Sequence, residues 1–102
     1  MPSYKKLVRD NIPEIIRKNG GKPITHILDE KEYLSELIKK LKEEVAEFET
    51  DHSIEELADI QEVLNALCDV LGIELNDLEK IRAQKADKNG TFKNRIYLED
   101  VK

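Results

Sequence analysis

The fold of this chain depends most on the stretch Ser53-Ile-Glu-Glu-Leu-Ala-Asp-Ile-Gln-Glu-Val-Leu-Asn-Ala-Leu-Cys-Asp-Val-Leu71. At about 100° per residue, its apolar side chains fill one arc of a helical wheel that is roughly 120° wide. The arc consists of Leu57, Ile60, Val63, Leu64, Leu67 and Leu71. This spacing predicts an amphipathic helix that packs its apolar face against another part of the protein.

Two acidic residues of this helix are badly placed for a solvated surface. Glu56 falls inside the apolar arc, beside Val63 and Ile60, and Asp59 falls on the edge of the arc. Burying an unpaired carboxylate is costly, so we expect both groups to need a cation, a partner or a proton. Ser53 followed by Glu56 also matches a capping box, which leaves a structural role for Glu56 open.

The preceding stretch, residues 33–48, predicts a second amphipathic helix with a weaker pattern. Its apolar residues at helical spacing are Leu34, Leu37, Ile38, Leu41, Val45 and Phe48. Glu44 lies at the margin of that stripe, and Glu47 lies one turn further along the same flank. If the two helices form an antiparallel hairpin, this pair of carboxylates can face Glu56 and Asp59.

Four carboxylates in one place repel each other unless a divalent cation neutralises them. A ligand set made only of oxygen atoms suits Mg²⁺, Mn²⁺ or Ca²⁺. The alternative is an ordinary solvated acidic surface with no ligand, a common role for Glu-rich helix flanks. Glu56 does not fit that alternative, because it lies among apolar residues.

Length and composition narrow the classes of protein. A chain of 102 residues predicts a single domain over residues 1–102, and 38% charged residues with 5% aromatic residues favour a helical bundle. The net charge of −5 provides no basic field for a nucleic-acid polymer. The single cysteine, Cys68, excludes an internal disulfide and is expected to be a buried structural thiol.

The sequence gives no sign of a membrane segment or a secretory leader. No apolar run approaches the roughly 18 residues of a membrane-spanning helix. The first residues, Met-Pro-Ser-Tyr-Lys-Lys, lack the apolar region of a signal peptide. We therefore expect a soluble, cytoplasmic protein.

The rest of the chain predicts two further helices and a small β element. Residues 10–18 predict a short helix, and residues 75–88 predict a third longer one that ends at Asn89-Gly90. Residues 22–28 and 92–98 predict two short strands that could pair. Asp29 is expected to cap the helix that follows it.

Two long helices and one shorter helix give a narrow core for a single chain. The helix over residues 53–71 carries more apolar surface than one neighbouring helix can cover. We therefore predict a mainly α protein in which two hairpins complete a four-helix bundle by dimerisation. Ligand and metal sites in such bundles lie between facing helices.

The acidic residues occur in an order that resembles a known signature. Glu43-Glu44-Val-Ala-Glu47 followed by Glu56-Leu-Ala-Asp59 resembles the EExxE…ExxD pattern of all-α nucleoside triphosphate pyrophosphohydrolases. That superfamily includes MazG-type enzymes, dimeric dUTPases, dCTP pyrophosphatases and phosphoribosyl-ATP pyrophosphatase. Eight residues separate Glu47 from Glu56, and this short connection predicts a tight hairpin.

Two flanking segments extend the resemblance over most of the chain. Lys6-Leu-Val-Arg-Asp10 with Ile12-Pro-Glu-Ile-Ile16 resembles the opening of small MazG-like, phosphoribosyl-ATP-pyrophosphatase-like proteins. Lys85 with Lys88-Asn-Gly-Thr-Phe92 resembles their C-terminal Lys…Arg-Gly-Gly-Phe segment, with Lys-Asn-Gly-Thr where the family commonly has Arg-Gly-Gly.

The resemblance implies a metal-dependent hydrolase. By that resemblance, Glu44, Glu47, Glu56 and Asp59 bind Mg²⁺, with Mn²⁺ as the alternative, and the metal holds a triphosphate. Water would attack between the α and β phosphorus atoms and release a nucleoside monophosphate and pyrophosphate. Glu47 is our candidate for the catalytic base on that water.

The phosphates of the substrate also need cationic side chains from the protein. The candidate substrate-binding residues are Arg9, Lys85, Lys88 and Arg95. Tyr4 or Tyr97 is the candidate for stacking on a base. The expected assembly is a homodimer or a dimer of dimers.

Three functions remain open at this point. The leading one is a Mg²⁺-dependent nucleotide pyrophosphohydrolase of the house-cleaning type. Phosphoribosyl-ATP hydrolysis in histidine synthesis would use the same carboxylates on another substrate, because selectivity depends on pocket shape. A non-catalytic helical dimer that binds a nucleotide or a protein is the third.

Overall fold

The computed structural model describes residues 5–102, which contain four α-helices and no β-strand. The helices are α1 (Ile12–Lys18), α2 (Glu30–Thr50), α3 (Ile54–Val70) and α4 (Leu75–Asn89). Each corresponds to a helix predicted from the sequence, with ends that differ by three residues or fewer. The mainly α class is thereby confirmed.

The predicted β element is wrong. Residues 22–28 and 92–98 contain no strand, and Ile24, Ile27 and Phe92 are almost fully exposed. Alternating β-branched residues express only a local preference, and an isolated two-stranded ribbon is marginally stable in water. The side chains of Ile24, Ile27 and Phe92 gain almost no burial, so neither segment is stabilised as a strand.

Side-chain caps fix the start of both long helices. The Asp29 side chain accepts a hydrogen bond from the Glu32 N–H at 2.8 Å, and Ser53 Oγ accepts one from the Glu56 N–H at 3.3 Å. Both caps were predicted from the sequence. Such caps satisfy N–H groups that have no partner within the helix. The positions of both N-termini therefore follow from short polar side chains.

Helices α2 and α3 form a hairpin joined by residues 51–53, and we call α2, this loop and α3 the hairpin. Among residues 5–102, this is the pair of helices with extensive packing against each other. Its buried apolar side chains are Leu37, Val63 and Cys68. The predicted burial of the Cys68 thiol is confirmed.

Helix α4 and the segment that follows it contribute little to this core. Every described residue from 71 to 102 is exposed except Ala86, which is partly buried. The Cα radius of gyration is 18.0 Å, whereas a compact chain of this length has a value of about 13 Å. The structure is therefore extended, and much of its apolar surface has no partner within residues 5–102.

None of the helices in the described part of the chain combines the length and the hydropathy needed to cross a bilayer.

Candidate metal centre

The hairpin brings together the four carboxylates that the sequence singled out. Glu44 and Glu47 lie in the last two turns of α2, and Glu56 and Asp59 lie in the first two turns of α3. Because the loop between the helices is only residues 51–53, both pairs lie at the same end of the hairpin. One oxygen atom from each carboxylate lies within 4.8 Å of the others. We call these four residues the carboxylate cluster.

The cluster has one deeply buried member. Glu44 is only 6% exposed, and its Oε2 has no hydrogen-bond partner among the described residues. Glu56 and Asp59 are partly buried, and Glu56 Oε2 also has no partner, whereas Glu47 is exposed. A helical wheel placed Glu56 deeper than Glu44. The prediction was wrong because a helical wheel represents a single helix, whereas the burial of Glu44 depends on its packing against α3.

Burial and like charge both disfavour ionisation in the cluster. Burial raises the pKa of Glu44, and the hydrogen bond and charge of Glu47 raise this pKa further. Burial also raises the pKa of Glu56, together with the charges of Glu47 and Asp59. When burial and mutual repulsion disfavour the ionised form of several carboxylates, a bound cation stabilises that form strongly.

Lys40 is a neighbour of the cluster that the sequence reasoning missed. Its Nζ lies 3.6 Å from Glu44 Oε1 and 3.4 Å from Glu43 Oε1. The signal was available, because Lys40 precedes Glu44 by four residues and therefore lies on the same helix face. One ammonium shared between two carboxylates leaves Glu44 only partly neutralised.

The segment before α1, residues 5–11, lies against the cluster, and we call it the N-terminal strap. Arg9 Nη2 donates a hydrogen bond to Asp59 Oδ1 at 2.7 Å. Lys6 Nζ lies 3.4 Å from Glu43 Oε1. Burial acts to raise the pKa of Glu43, but Lys40 and Lys6 outweigh it and lower that pKa. The strap is therefore tied to both helices of the hairpin.

The remaining predicted substrate-binding residues lie elsewhere. Lys85 and Lys88 are exposed on α4, and Arg95 is exposed beyond its end. Within residues 5–102, no ion pair joins these three side chains to the cluster. Tyr97 is also exposed, and Tyr4 lies outside the described residues. Arg9 alone among the four predicted cations reaches the cluster in this chain.

An open groove of about 480 Å³ borders the cluster. Its lining residues are Glu43, Ala46, Glu47, Thr50, Asp51 and Glu56. The groove is shallow and widely open to solvent. Glu47 and Glu56 thus belong both to the cluster and to a groove that solvent and small molecules can enter.

The donor set fits a hard divalent cation. All four ligands are carboxylate oxygens, which Mg²⁺ and Mn²⁺ prefer. The four carboxylate oxygens lie within 4.8 Å of one another, close enough for adjustment of the side chains to bring them onto a common cation. The unpartnered Oε2 of buried Glu44 independently indicates that this group needs a ligand.

Comparison with known proteins adds one partial similarity. No protein-family model matches the chain, and no solved structure matches it. An uncharacterized protein of Mycolicibacterium smegmatis is 52% identical over 42 residues, which are 41% of this chain and 43% of that protein. The similarity therefore spans less than half of either chain.

Proposed function

We propose that this chain is a Mg²⁺-dependent nucleotide pyrophosphohydrolase. It would hydrolyse a nucleoside triphosphate or a related nucleotide between the α and β phosphates and release a monophosphate and pyrophosphate. The proposal rests on one observation: four carboxylates, two from each helix, converge at one end of the hairpin, and the buried Glu44 among them has an oxygen without a hydrogen-bond partner. The order of these residues resembles that of MazG-like members of the all-α pyrophosphohydrolases.

A purely structural role explains the cluster poorly. A buried carboxylate without a partner opposes folding, and an apolar residue of similar size at the same position would avoid this cost. Glu44 is 6% exposed and shares its single nearby ammonium with Glu43. An arrangement that destabilises the metal-free hairpin is reasonable where the carboxylates serve a ligand.

The four carboxylates would have distinct roles. When bound, Mg²⁺ would supply neutralisation of phosphate oxygens and a lowered pKa for water. Glu44, Glu56 and Asp59 are the partly or fully buried members, which suits them to hold the cation. Glu47 is exposed and lines the groove, so it can reach an attacking water and accept its proton as the P–O bond to pyrophosphate breaks.

The groove beside the cluster is our candidate nucleotide site. Arg9, which donates a hydrogen bond to Asp59 of the cluster, is the predicted cation that we assign to the phosphates of a nucleotide held there. Lys85, Lys88 and Arg95 would contribute through rearrangement of the C-terminal part or from a second copy. Guanidinium and ammonium groups both bind phosphate, the former through two parallel hydrogen bonds.

We further propose that the protein is a homodimer, alone or as a dimer of dimers. The accessible surface is 9588 Å², whereas a compact monomer of 11.8 kDa would expose about 5,900 Å². Leu57 on α3 and Leu75, Leu78 and Ile81 on α4 are large apolar residues that remain exposed. A second copy that covers them would convert this excess into an interface of the size that obligate dimers use.

Pyrophosphate release from a panel of substrates tests the activity. The panel contains ribonucleoside and deoxyribonucleoside triphosphates together with phosphoribosyl-ATP, each with Mg²⁺ and with EDTA. We expect release that requires Mg²⁺ and is abolished in Glu56→Gln. Glu62→Gln, an exposed residue of the same helix, is the matched control and should keep full activity.

The panel also separates the competing functions. Release confined to phosphoribosyl-ATP would assign the protein to histidine synthesis. Measurable Mg²⁺ binding without release from any substrate would contradict the enzyme and favour a binding module. Equal release from Glu56→Gln and the unaltered protein would remove the cluster from the reaction.

A further inference from the structure

The N-terminal strap places a cation on one of the cluster's own ligands. Arg9 Nη2 lies 2.7 Å from Asp59 Oδ1, and the Asp59 carboxylate is one of the four that converge. Lys6, three residues earlier, is paired instead with Glu43, which is not a member of the cluster. The two ion pairs of the strap therefore differ in what they touch.

The Asp59 carboxylate cannot bind a guanidinium and a divalent cation at the same time without weakening both interactions. A guanidinium on Asp59 and a divalent cation in the cluster repel each other, and this repulsion grows with the charge of the metal. An oxygen that donates a lone pair to a metal is also a weaker acceptor for an N–H group. Arg9 and a metal therefore compete for the same carboxylate.

We propose that Arg9 is the internal counter-cation of the carboxylate cluster and that it leaves Asp59 when the cluster takes up a divalent cation. This exchange rests on the proposed metal site and defines the order in which the metal and the substrate bind. The guanidinium becomes available to a phosphate only after the cation is bound, so metal binding precedes productive substrate binding.

Breaking the Arg9–Asp59 ion pair should cost little free energy. The side chains of Arg9 and Asp59 are 55% and 36% exposed, and ion pairs at such exposure contribute little to stability. The Lys6–Glu43 pair contains no member of the cluster and keeps the strap beside the hairpin after Arg9 leaves. The freed guanidinium then remains beside the cluster, and its planar fork suits phosphate oxygens.

Metal affinity provides the first test, without any measurement of activity. Mn²⁺ is titrated into the full chain, and the free ion is followed by electron paramagnetic resonance. We expect Arg9→Gln to bind Mn²⁺ about three to five times more tightly, because the competing ion pair is gone. Lys6→Gln removes an equal charge from the same strap without touching the cluster, and its affinity should stay close to that of the unaltered protein.

Movement of Arg9 provides the second test and needs no substitution. In the unaltered chain, the ¹H–¹⁵N signal of the Arg9 side chain reports whether the guanidinium is held by Asp59. Addition of Mg²⁺ should shift that signal toward the value of a solvated arginine, while the Lys6 ammonium signal stays in place. A shift in Arg9 alone supports the exchange.

The outcomes separate the inference from the function on which it depends. Metal binding with an unmoved Arg9 signal, or an Arg9→Gln variant that binds Mn²⁺ no more tightly, overturns the exchange and leaves the metal site intact. No Mn²⁺ binding by the unaltered chain, matching Glu56→Gln, overturns both. Tighter binding in Arg9→Gln together with movement of Arg9 supports both.

Discussion

The hairpin and the C-terminal part of the chain, residues 71–102, use their apolar residues in opposite ways. In the hairpin, Leu37 is 3% exposed and Val63 is 7% exposed, because α2 and α3 cover each other. In the C-terminal part, Ile81 is 50% exposed and Phe92 is 98% exposed. The first region buries part of its apolar surface between its two helices, and the second has no such partner among the described residues.

Helix capping shows the same contrast. Helices α2 and α3 each begin with a side chain that accepts a backbone N–H, whereas α4 begins at Glu74 without such a bond. Local capping and tertiary packing agree in the hairpin, and both are weak in α4. This difference indicates that the hairpin is the better-packed part of the described chain, whereas the apolar side chains of the C-terminal part remain exposed.

Loss of the hairpin core should have the largest effect. Replacing Leu37 by Ala removes a buried side chain and leaves a cavity, so we expect a loss of about 2–4 kcal/mol in the free energy of unfolding. Urea denaturation followed by circular dichroism measures it. Ile54→Ala, at a position that is 77% exposed, should cost well under 1 kcal/mol. Equal losses for the two variants would mean that the hairpin core is not where the structure puts it.

A charge on the exposed face of α4 should have the next largest effect, on association rather than on folding. We expect Leu78→Lys to raise the dimer dissociation constant at least tenfold, about 1.4 kcal/mol, because it places an ammonium in the apolar surface proposed to meet a second copy. Sedimentation velocity over a range of concentrations measures it. Asn76→Lys adds the same charge at an exposed polar position and should leave association unchanged. Identical dissociation constants for both variants would exclude α4 from the interface.

The metal-free hairpin should lose stability as the pH rises. The pKa of Glu44 in the folded chain is raised above its ordinary value of 4.5, chiefly by burial. The stability that this carboxyl contributes is therefore fully present below about pH 4.5 and is lost as the pH rises through the raised pKa. We expect Glu44→Gln to be more stable than the unaltered protein by about 1 kcal/mol at pH 8 without metal, and by less at pH 4.

Comparison of these two proteins is essential for that measurement, because Glu43 and Glu79 have lowered pKa values and act in the opposite direction. The difference in unfolding free energy between the unaltered protein and Glu44→Gln isolates the one carboxyl. Addition of Mg²⁺ should stabilise the unaltered protein and not the variant. A difference that stays constant from pH 4 to pH 8 would show that Glu44 titrates as an ordinary carboxyl.

Capping should give the smallest effect and sharpen the comparison between α3 and α4. Replacing Ser53 by Ala removes the bond to the Glu56 N–H and should cost about 1 kcal/mol in unfolding free energy. Replacing Glu74 by Ser offers α4 the cap that it lacks and should raise its helicity with only a few tenths of a kcal/mol gained. Helicity from circular dichroism and a urea titration measure both. A larger gain in α4 than loss in α3 would contradict the greater role of the hairpin.

Much of the helical structure was predictable because it depends on local signals. The four helices follow from apolar spacing, and Asp29 and Ser53 mark the starts of α2 and α3 through bonds to residues three positions later. The prediction of two strands was wrong because strands depend on contacts that are not local. A strand requires a partner from elsewhere in the chain, and Ile24 and Ile27 express only a preference for extended backbone.

The candidate site likewise has features that local sequence predicts and features that depend on long-range contacts. The proximity of residues 44, 47, 56 and 59 was predictable from the sequence, because a short loop joins two helices whose periodicity is known. The greater burial of Glu44 and the contact of Arg9 with Asp59 depend on how separate elements meet, and no single stretch of sequence encodes either. Long-range contacts of this kind were the part that only the structure supplied.

The three residues between α2 and α3 have one more consequence. Each helix carries two of the four clustered carboxylates, and residues 51–53 make the meeting of the two pairs an intramolecular event. Tethers this short give effective concentrations in the millimolar range or above, so cutting the loop would turn one site into two fragments that must find each other. A cation would then act as the bridge between separate peptides. The length of this loop would thus set the affinity of the proposed metal site.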